Sequence, residues 1–344
     1  MKNYGMCSNY GTNSVFNGSD SLTVQFGPHE IVCAGSIYSR YGSNIFDDLV
    51  VCSRNSTYMI DGTAPSNWTL YTISDKRGCV APLTFVKCDL SFEVAQGITK
   101  HVLLWRTNNG IVFFDGNTIA DISDDINNFF DTSKSDYIDP TIYNVSLETG
   151  GYDEASLEYH WIFTNANGKQ EWVYSLLLKK WSQASRGTSP SNKVLNCVFT
   201  VQDTYGDTYL YGGDSNGFIE RLDNGSTFDG NAITSTFRTG DILLAQTGSY
   251  ITKLRYITLF AKAKNIATAK VACTYYPDAN YAGMTLTPFS QANTLSRIYQ
   301  GKNSIDSNAT LHSLQYSITQ STEKIGFEPL LISGLFEVDR ENLY

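Results

Sequence analysis

A strand–turn–strand unit that closes on Asp-Gly or Asn-Gly recurs along the first two thirds of the chain. No other feature limits the possible folds as much. Leu49–Gly62 reads as apolar strand, polar turn, second strand and Asp-Gly, with Trp68, Leu70 and Ile73-Ser74 following. Val102–Gly116 repeats the pattern and ends on Ile122-Ser123. A looser third copy runs through Tyr159–Phe163, a turn from Asn165 to Gly168, Trp172–Leu176 and Trp181-Ser182. The fourth is Tyr209–Tyr211, Gly212–Gly217, Phe218–Leu222 and Asn224-Gly225. Asn-Gly and Asp-Gly suit such turns because both central residues of a type I′ turn need positive φ. A spacing of roughly fifty residues is what one four-stranded blade of a β-propeller occupies. The sequence therefore predicts an all-β chain with a propeller over residues 1–230. Four blades are visible, and Leu22–Phe26 with Ile31–Ala34 would supply a fifth.

From about residue 231 the pattern changes. Ile233–Arg238, Tyr250–Phe260, Thr268–Tyr276, Thr310–Thr319 and Leu331–Val338 are longer alternating strands, interrupted by expected loops at Asp278–Met284 and Gly301–Asn308. They predict a C-terminal antiparallel sheet or sandwich over 231–344. One helical turn interrupts the strands. Ser123–Phe130 has a capping serine, two acids, and apolar residues at Ile126, Phe129 and Phe130, as expected of a short amphipathic helix packed between blades.

Charged residues make up 17% of the chain, so Asn, Ser, Thr, Gly and Tyr must cover much of its surface. The formal net charge of −9 argues against a nucleic-acid reader, and the basic residues cluster only at Lys179–Lys180 and Lys262/Lys264. An acidic wall could still line a DNA path, since no counterion release rewards phosphate contact. Seven cysteines (Cys7, Cys33, Cys52, Cys79, Cys88, Cys197 and Cys273) form no CxxC pair, and several lie in apolar runs. Buried free thiols and folding in a reducing compartment are expected. The start lacks an apolar signal core, and no apolar run is long enough for a membrane helix. The sequons at Asn17, Asn55, Asn67, Asn144, Asn224 and Asn308 read as by-products of composition.

A search for chemistry yields no assigned catalytic, cofactor or metal residue. His29, His101, His160 and His312 share no metal-ligand spacing and read as structural. No nucleophile elbow, P-loop or GxGxxG occurs. Asp121, Asp124, Asp125, Asp131, Asp136 and Asp139 lack a calcium-loop spacing, so capping and solvated turns are expected. Asp214–Gly217 reads as a hairpin turn. Trp68, Trp105, Trp161, Trp172 and Trp181 could build a sugar platform, although Trp105 and Trp161 lie in apolar strands and read as core. Propeller glycosidases need paired carboxylates across a cleft, and no sialidase-type box marks one here. The expectation is a protein that is not an enzyme and holds no cofactor.

Ile111–Phe130, Glu171–Ser182 and Tyr211–Asp241 resemble the blade pattern of propeller-containing tail proteins of short-tailed bacteriophages, namely tail hub or packaged-DNA stabilisation proteins and tail nozzles. That resemblance implies a viral structural protein of the virion tail or neck: a homo-oligomeric ring, assembled in the host cytoplasm. It would extend and seal the conduit for DNA ejection, with portal, adaptor or other tail proteins as partners and DNA passing without sequence recognition. The alternative, from another class, is a carbohydrate- or receptor-binding propeller such as a tail adhesin or lectin.

Overall fold

The computed structural model describes residues 4–7, 22–41, 44–62, 67–95, 98–184, 186, 195–205, 207–224, 227–228, 231–245, 250–262, 270–278, 283–290, 298–320 and 329–341. The Asn17 sequon, Gly225, Lys264 and Thr268 lie outside these residues. The chain divides into two compact units, one of residues 1–185 with 193–223 and one of 186–192 with 224–344. Among the described residues no helix is long and apolar enough to cross a membrane.

The first unit is a β-propeller. A two-stranded sheet, β1 (Tyr4–Cys7) with β2 (Leu22–Gln25), comes first. Blade 1 is β3 (Ile31–Tyr41), β4 (Asn44–Ser53), β5 (Thr57–Asp61) and β6 (Thr69–Ser74). Blade 2 is β7 (Val86–Ala95), β8 (Ile98–Thr107), β9 (Gly110–Phe114) and β10 (Ile119–Asp121). Blade 3 is β11 (Thr149–Asp153), β12 (Glu158–Asn165), β13 (Gly168–Ser175) and β14 (Lys180–Ala184). Blade 4 holds β15 (Leu195–Gln202), β16 (Thr208–Asp214) and β17 (Ile219–Arg221). Each blade is an antiparallel meander in sequence order. The first strands adjoin, β3 against β7, β7 against β11 and β11 against β15, and so surround a common axis. The recurring sequence units are the second and third strands of each blade.

Alternation along the strands builds the seams. On β8, Val102 and Leu104 join the core shared with blade 3, which includes Tyr159, Trp161 and Phe163. Leu103 and Trp105 join the core shared with blade 1, which includes Ile37, Val50 and Cys52. Both faces are buried, so the strand reads as a continuous apolar run. On β4, Val50 and Cys52 face blade 2, while Val51 packs with Phe26, Tyr58 and Val24 of the two-stranded sheet's side. That sheet therefore flanks blade 1 on the face away from blade 2.

Ser123–Phe130 forms no α-helix. Asp124–Phe129 is 3-10 in character, kinked at Ile126, where φ is −122° and ψ is 21°. Ser123 does not cap it, because its hydroxyl donates to Ile111 O at 3.1 Å and accepts from Ile111 N at 2.5 Å. Ile126 and Phe129 still pack into the core of blades 2 and 3.

The second unit is an antiparallel sandwich. Its strands are β18 (Thr227–Phe228), β19 (Asn231–Arg238), β20 (Ile242–Leu243), β21 (Tyr250–Lys262), β22 (Lys270–Pro277), β23 (Met284–Thr285), β24 (Phe289–Ser290), β25 (Ile298–Ala309), β26 (Leu311–Gln320) and β27 (Pro329–Glu341). One sheet runs β18-β19-β26-β22-β23, with β20 on β26 and β24 on β22, and the other runs β25-β21-β27. Leu254 and Leu259 from one sheet meet Val271, Tyr275, Leu314 and Tyr316 from the other in one core. The loop expected at Gly301–Asn308 is instead strand, within β25. Its inward positions include Gly301 and Asn303, which mask the alternation in sequence. The Asn303 side chain is satisfied there by donating to Thr287 O at 2.9 Å.

Candidate functional site

The innermost strands leave an axial cavity of about 910 Å³, lined by residues of blades 2, 3 and 4. A volume of this size lies within the range of small-ligand sites. β7 contributes Lys87 and Asp89 on either side of buried Cys88, because alternate residues of a strand face opposite ways. β8 adds His101, β11 leads into Glu154, and β15 supplies Phe199 and Gln202.

Several contacts hold this lining in place. The Tyr152 hydroxyl donates to the backbone carbonyl of Asp89, tying blade 3 to blade 2. Burial pushes that phenol well above its ordinary range. Thr200 Oγ1 donates to Tyr152 O at 3.1 Å and accepts from Tyr152 N at 3.3 Å, tying blade 4 to blade 3. His101 Nε2 lies 3.5 Å from Asp89 Oδ2. The Tyr38 ring stands 5.1 Å from the imidazole, and Lys87 Nζ lies 5.2 Å from the centre of that same ring. Burial, helped by Lys87, holds the His101 pKa below its ordinary 6.5 against the pull of Asp89. The lining thus sets a lysine and two acidic side chains around an imidazole that burial keeps from protonating. Such a lining offers donors and acceptors to a polar, uncharged or weakly charged ligand.

The other residues singled out in the sequence serve structural ends. His160 Nδ1 lies 2.8 Å from Glu171 Oε1 inside blade 3, and His29 is exposed. In the second unit His312 is buried between Thr252 and Tyr275. The aspartates cap turns: Asp131 accepts from Ser133 N, Asp139 from Thr141 N and Asp121 from Ser123 N. Asp124 and Asp125 meet Lys179 and Lys180 at a second crevice, where Lys180 Nζ sits 3.0 Å from Asp125. Asp214 Oδ1 accepts from Asn216 N and Phe218 N, the bonding of a turn. Trp105 and Trp161 are fully buried. Trp181 is also buried, and its indole donates to Ile122 O at 2.6 Å. Trp68 is half-buried against Phe26 and Tyr58, and Trp172 donates to Gln170. None of the five forms an exposed sugar platform.

A propeller with an axial cavity is the class that this geometry defines. No protein-family model matches the chain, and no curated protein matches it. Solved structures that it resembles include an exo-β-1,3-galactanase from Phanerochaete chrysosporium with galactose, at 10% identity and a TM-score of 0.32, covering 89% of this chain and 81% of that one. Another is a glycoside hydrolase family 43 arabinoxylan arabinofuranohydrolase from Bacillus subtilis, at 9% identity and a TM-score of 0.19, covering 88% and 94%. An exo-inulinase from Aspergillus awamori matches at 11% identity and a TM-score of 0.19, covering 90% and 67%. At these identities and TM-scores the likeness assigns neither substrate nor activity to this chain.

The expectation that the chain is not an enzyme is nonetheless corrected. That exclusion had rested on the absence of linear motifs alone. In a propeller the carboxylates of a cleft come from different blades, so no short motif marks them. Asp89 of blade 2 and Glu154, which follows β11 of blade 3, reach one cavity across 65 positions of sequence. Sequence reasoning missed Lys87, Asp89, His101 and Glu154 as a group. The faint signal was the polar–apolar–polar run at Lys87-Cys88-Asp89.

Proposed function

We propose that the chain is a carbohydrate-binding β-propeller that takes its ligand in the axial cavity. The observation that carries this reading is the lining itself. Carboxylates, an ammonium, an amide and hydroxyl groups surround a recess that also holds Phe85 and Phe199. Sugars present hydroxyls to such donors and acceptors and C–H faces to aromatic rings. Phosphate ligands are disfavoured by two carboxylates against one lysine. The test is a glycan array followed by calorimetry on the strongest ligand, repeated with Glu154→Gln and Asp89→Asn. Saturable binding lost in both variants supports the reading. An array without a retained glycan overturns it. Release of reducing sugar in the same samples would define a glycosidase rather than a lectin.

A second reading, a phage tail or neck ring component, follows from the sequence resemblance. Its support is the apolar surface of the second unit, where Leu330, Leu331, Leu335 and Phe336 are exposed on one strand. Closed rings with a central pore in electron micrographs of the purified protein favour this reading over the first.

A further inference from the structure

The sandwich is open along one side. β27 pairs with β21, and among the described residues no strand pairs with its other edge. Register shows which way its side chains point. Val338 stands opposite Thr252, Phe336 opposite Leu254 and Ile332 opposite Leu259, all positions that face the core. Leu335 and Leu331 stand opposite Tyr256 and Phe260 on the outer face. In the other sheet Phe237 lies opposite Tyr316 and Ile242 opposite His312, again on the core side. Yet Phe336, Val338, Phe237 and Ile242 are 40–55% exposed. The core faces of both sheets thus reach solvent at this edge, beside the bare backbone of a thirteen-residue strand. Natural edge strands are seldom left so long and apolar unless something pairs with them.

We propose that a second copy of this chain covers the edge, with β27 pairing antiparallel to its counterpart across a two-fold axis at Leu335. Leu335 is the midpoint of the strand, and its central residues, 332–338, pair favourably about it. In that register Leu335 meets Leu335 of the second copy, Ile332 meets Val338 and Gly334 meets Phe336. A bare glycine is thereby covered by an aromatic ring, a favourable cross-strand pair. Glu337, whose carboxylate is held by Arg255 at 2.5 Å, faces Ser333, so no like charges oppose one another. The area also fits. Leu330, Leu331, Leu335 and Val338 with Phe336, Phe237 and Ile242 expose on the order of 600 Å², near the roughly 800 Å² per partner of a stable interface. The pairing joins two β25-β21-β27 sheets into one of six strands. It is isologous, so it closes at two copies.

The test is light scattering and sedimentation equilibrium of the full chain at micromolar concentration. Twice the chain mass of 38.2 kDa is expected. Leu335→Lys places two ammonium groups on the axis and should weaken association about thirtyfold or more. Leu335→Cys should form a disulfide-linked dimer with oxidised glutathione, each pair of thiols giving up two electrons and two protons to the reagent. Leu330→Cys, far from its own copy in this register, should not. A monomeric wild type, a dimer indifferent to Leu335→Lys, or equal cross-linking at 330 and 335 would each overturn the proposal. The cysteine pair remains informative if the lysine variant fails to fold.

Discussion

The hydroxyl of Tyr275 lies 2.7 Å from Nδ1 of His312, so that both ring nitrogens of this buried imidazole meet a hydroxyl. Thr252 Oγ1 gives its own proton to Ala309 O at 3.0 Å, so it can only accept from His312 Nε2, 2.7 Å away. His312 Nε2 therefore carries a proton.

Burial lowers the His312 pKa below its ordinary 6.5. With a depressed folded value, the stabilisation is complete above the unfolded pKa of about 6.5 and is lost as pH falls toward the folded value. The second unit should melt at lower temperature at pH 5 than at pH 7.5. His312→Gln should flatten that dependence, as read by calorimetry across pH.

Arg106 and Glu148 form a buried ion pair, with Nε 3.4 Å from Oε2. Glu148 also accepts from the Trp161 indole at 2.9 Å, and the Arg106 guanidinium lies 4.4 Å from the centre of the Phe130 ring. The pair joins blade 2 to blade 3. Glu148→Ala strands a buried cation and should cost about 3–5 kcal/mol in urea unfolding, while Arg106→Met with Glu148→Leu should recover most of the loss.

Trp105 is wholly buried between blades 1 and 2, 5.7 Å from the Phe85 ring by centroid. Trp105→Ala should destabilise the propeller by about 3–5 kcal/mol. Tyr205→Ala, at a side chain 91% exposed, should stay within about 0.5 kcal/mol. Paired chemical denaturation curves check both.

Thiol accessibility provides a further check. Cys52, Cys79, Cys88 and Cys273 are buried, and burial pushes the Cys88 thiol well up and the Cys273 thiol to about 12. These four should react with an aromatic disulfide reagent only on unfolding, with sites read by mass spectrometry. Rapid labelling of Cys88 in the native protein would contradict the packing described.

The middle hairpins were legible because Asp61-Gly62 and Asp115-Gly116 follow their second strands, with both glycines at positive φ, and because β8 is apolar on both faces. The innermost strands were not. β11 begins Thr149-Gly150-Gly151, which reads as a turn. It is strand, paired with β12, and a side-chain carbon at Gly150 would fall 2.7 Å from the Tyr159 hydroxyl, and one at Gly151 2.6 Å from Leu210. Crowding from neighbouring strands and the next blade demands glycine where local preference would not. The cavity residues were illegible for the same reason, since they ride on those strands. The β25 segment was misread because polar residues fill inward positions that side-chain hydrogen bonds satisfy.

The two-sided burial of β8 also restricts how such a chain can change length. Deleting one residue from Val102–Trp105 would exchange the two faces and send each side chain to the wrong neighbouring blade. Insertions and losses are therefore confined to exposed turns, such as Asp203–Tyr205. A chain of this fold can add or shed a blade only as a whole meander.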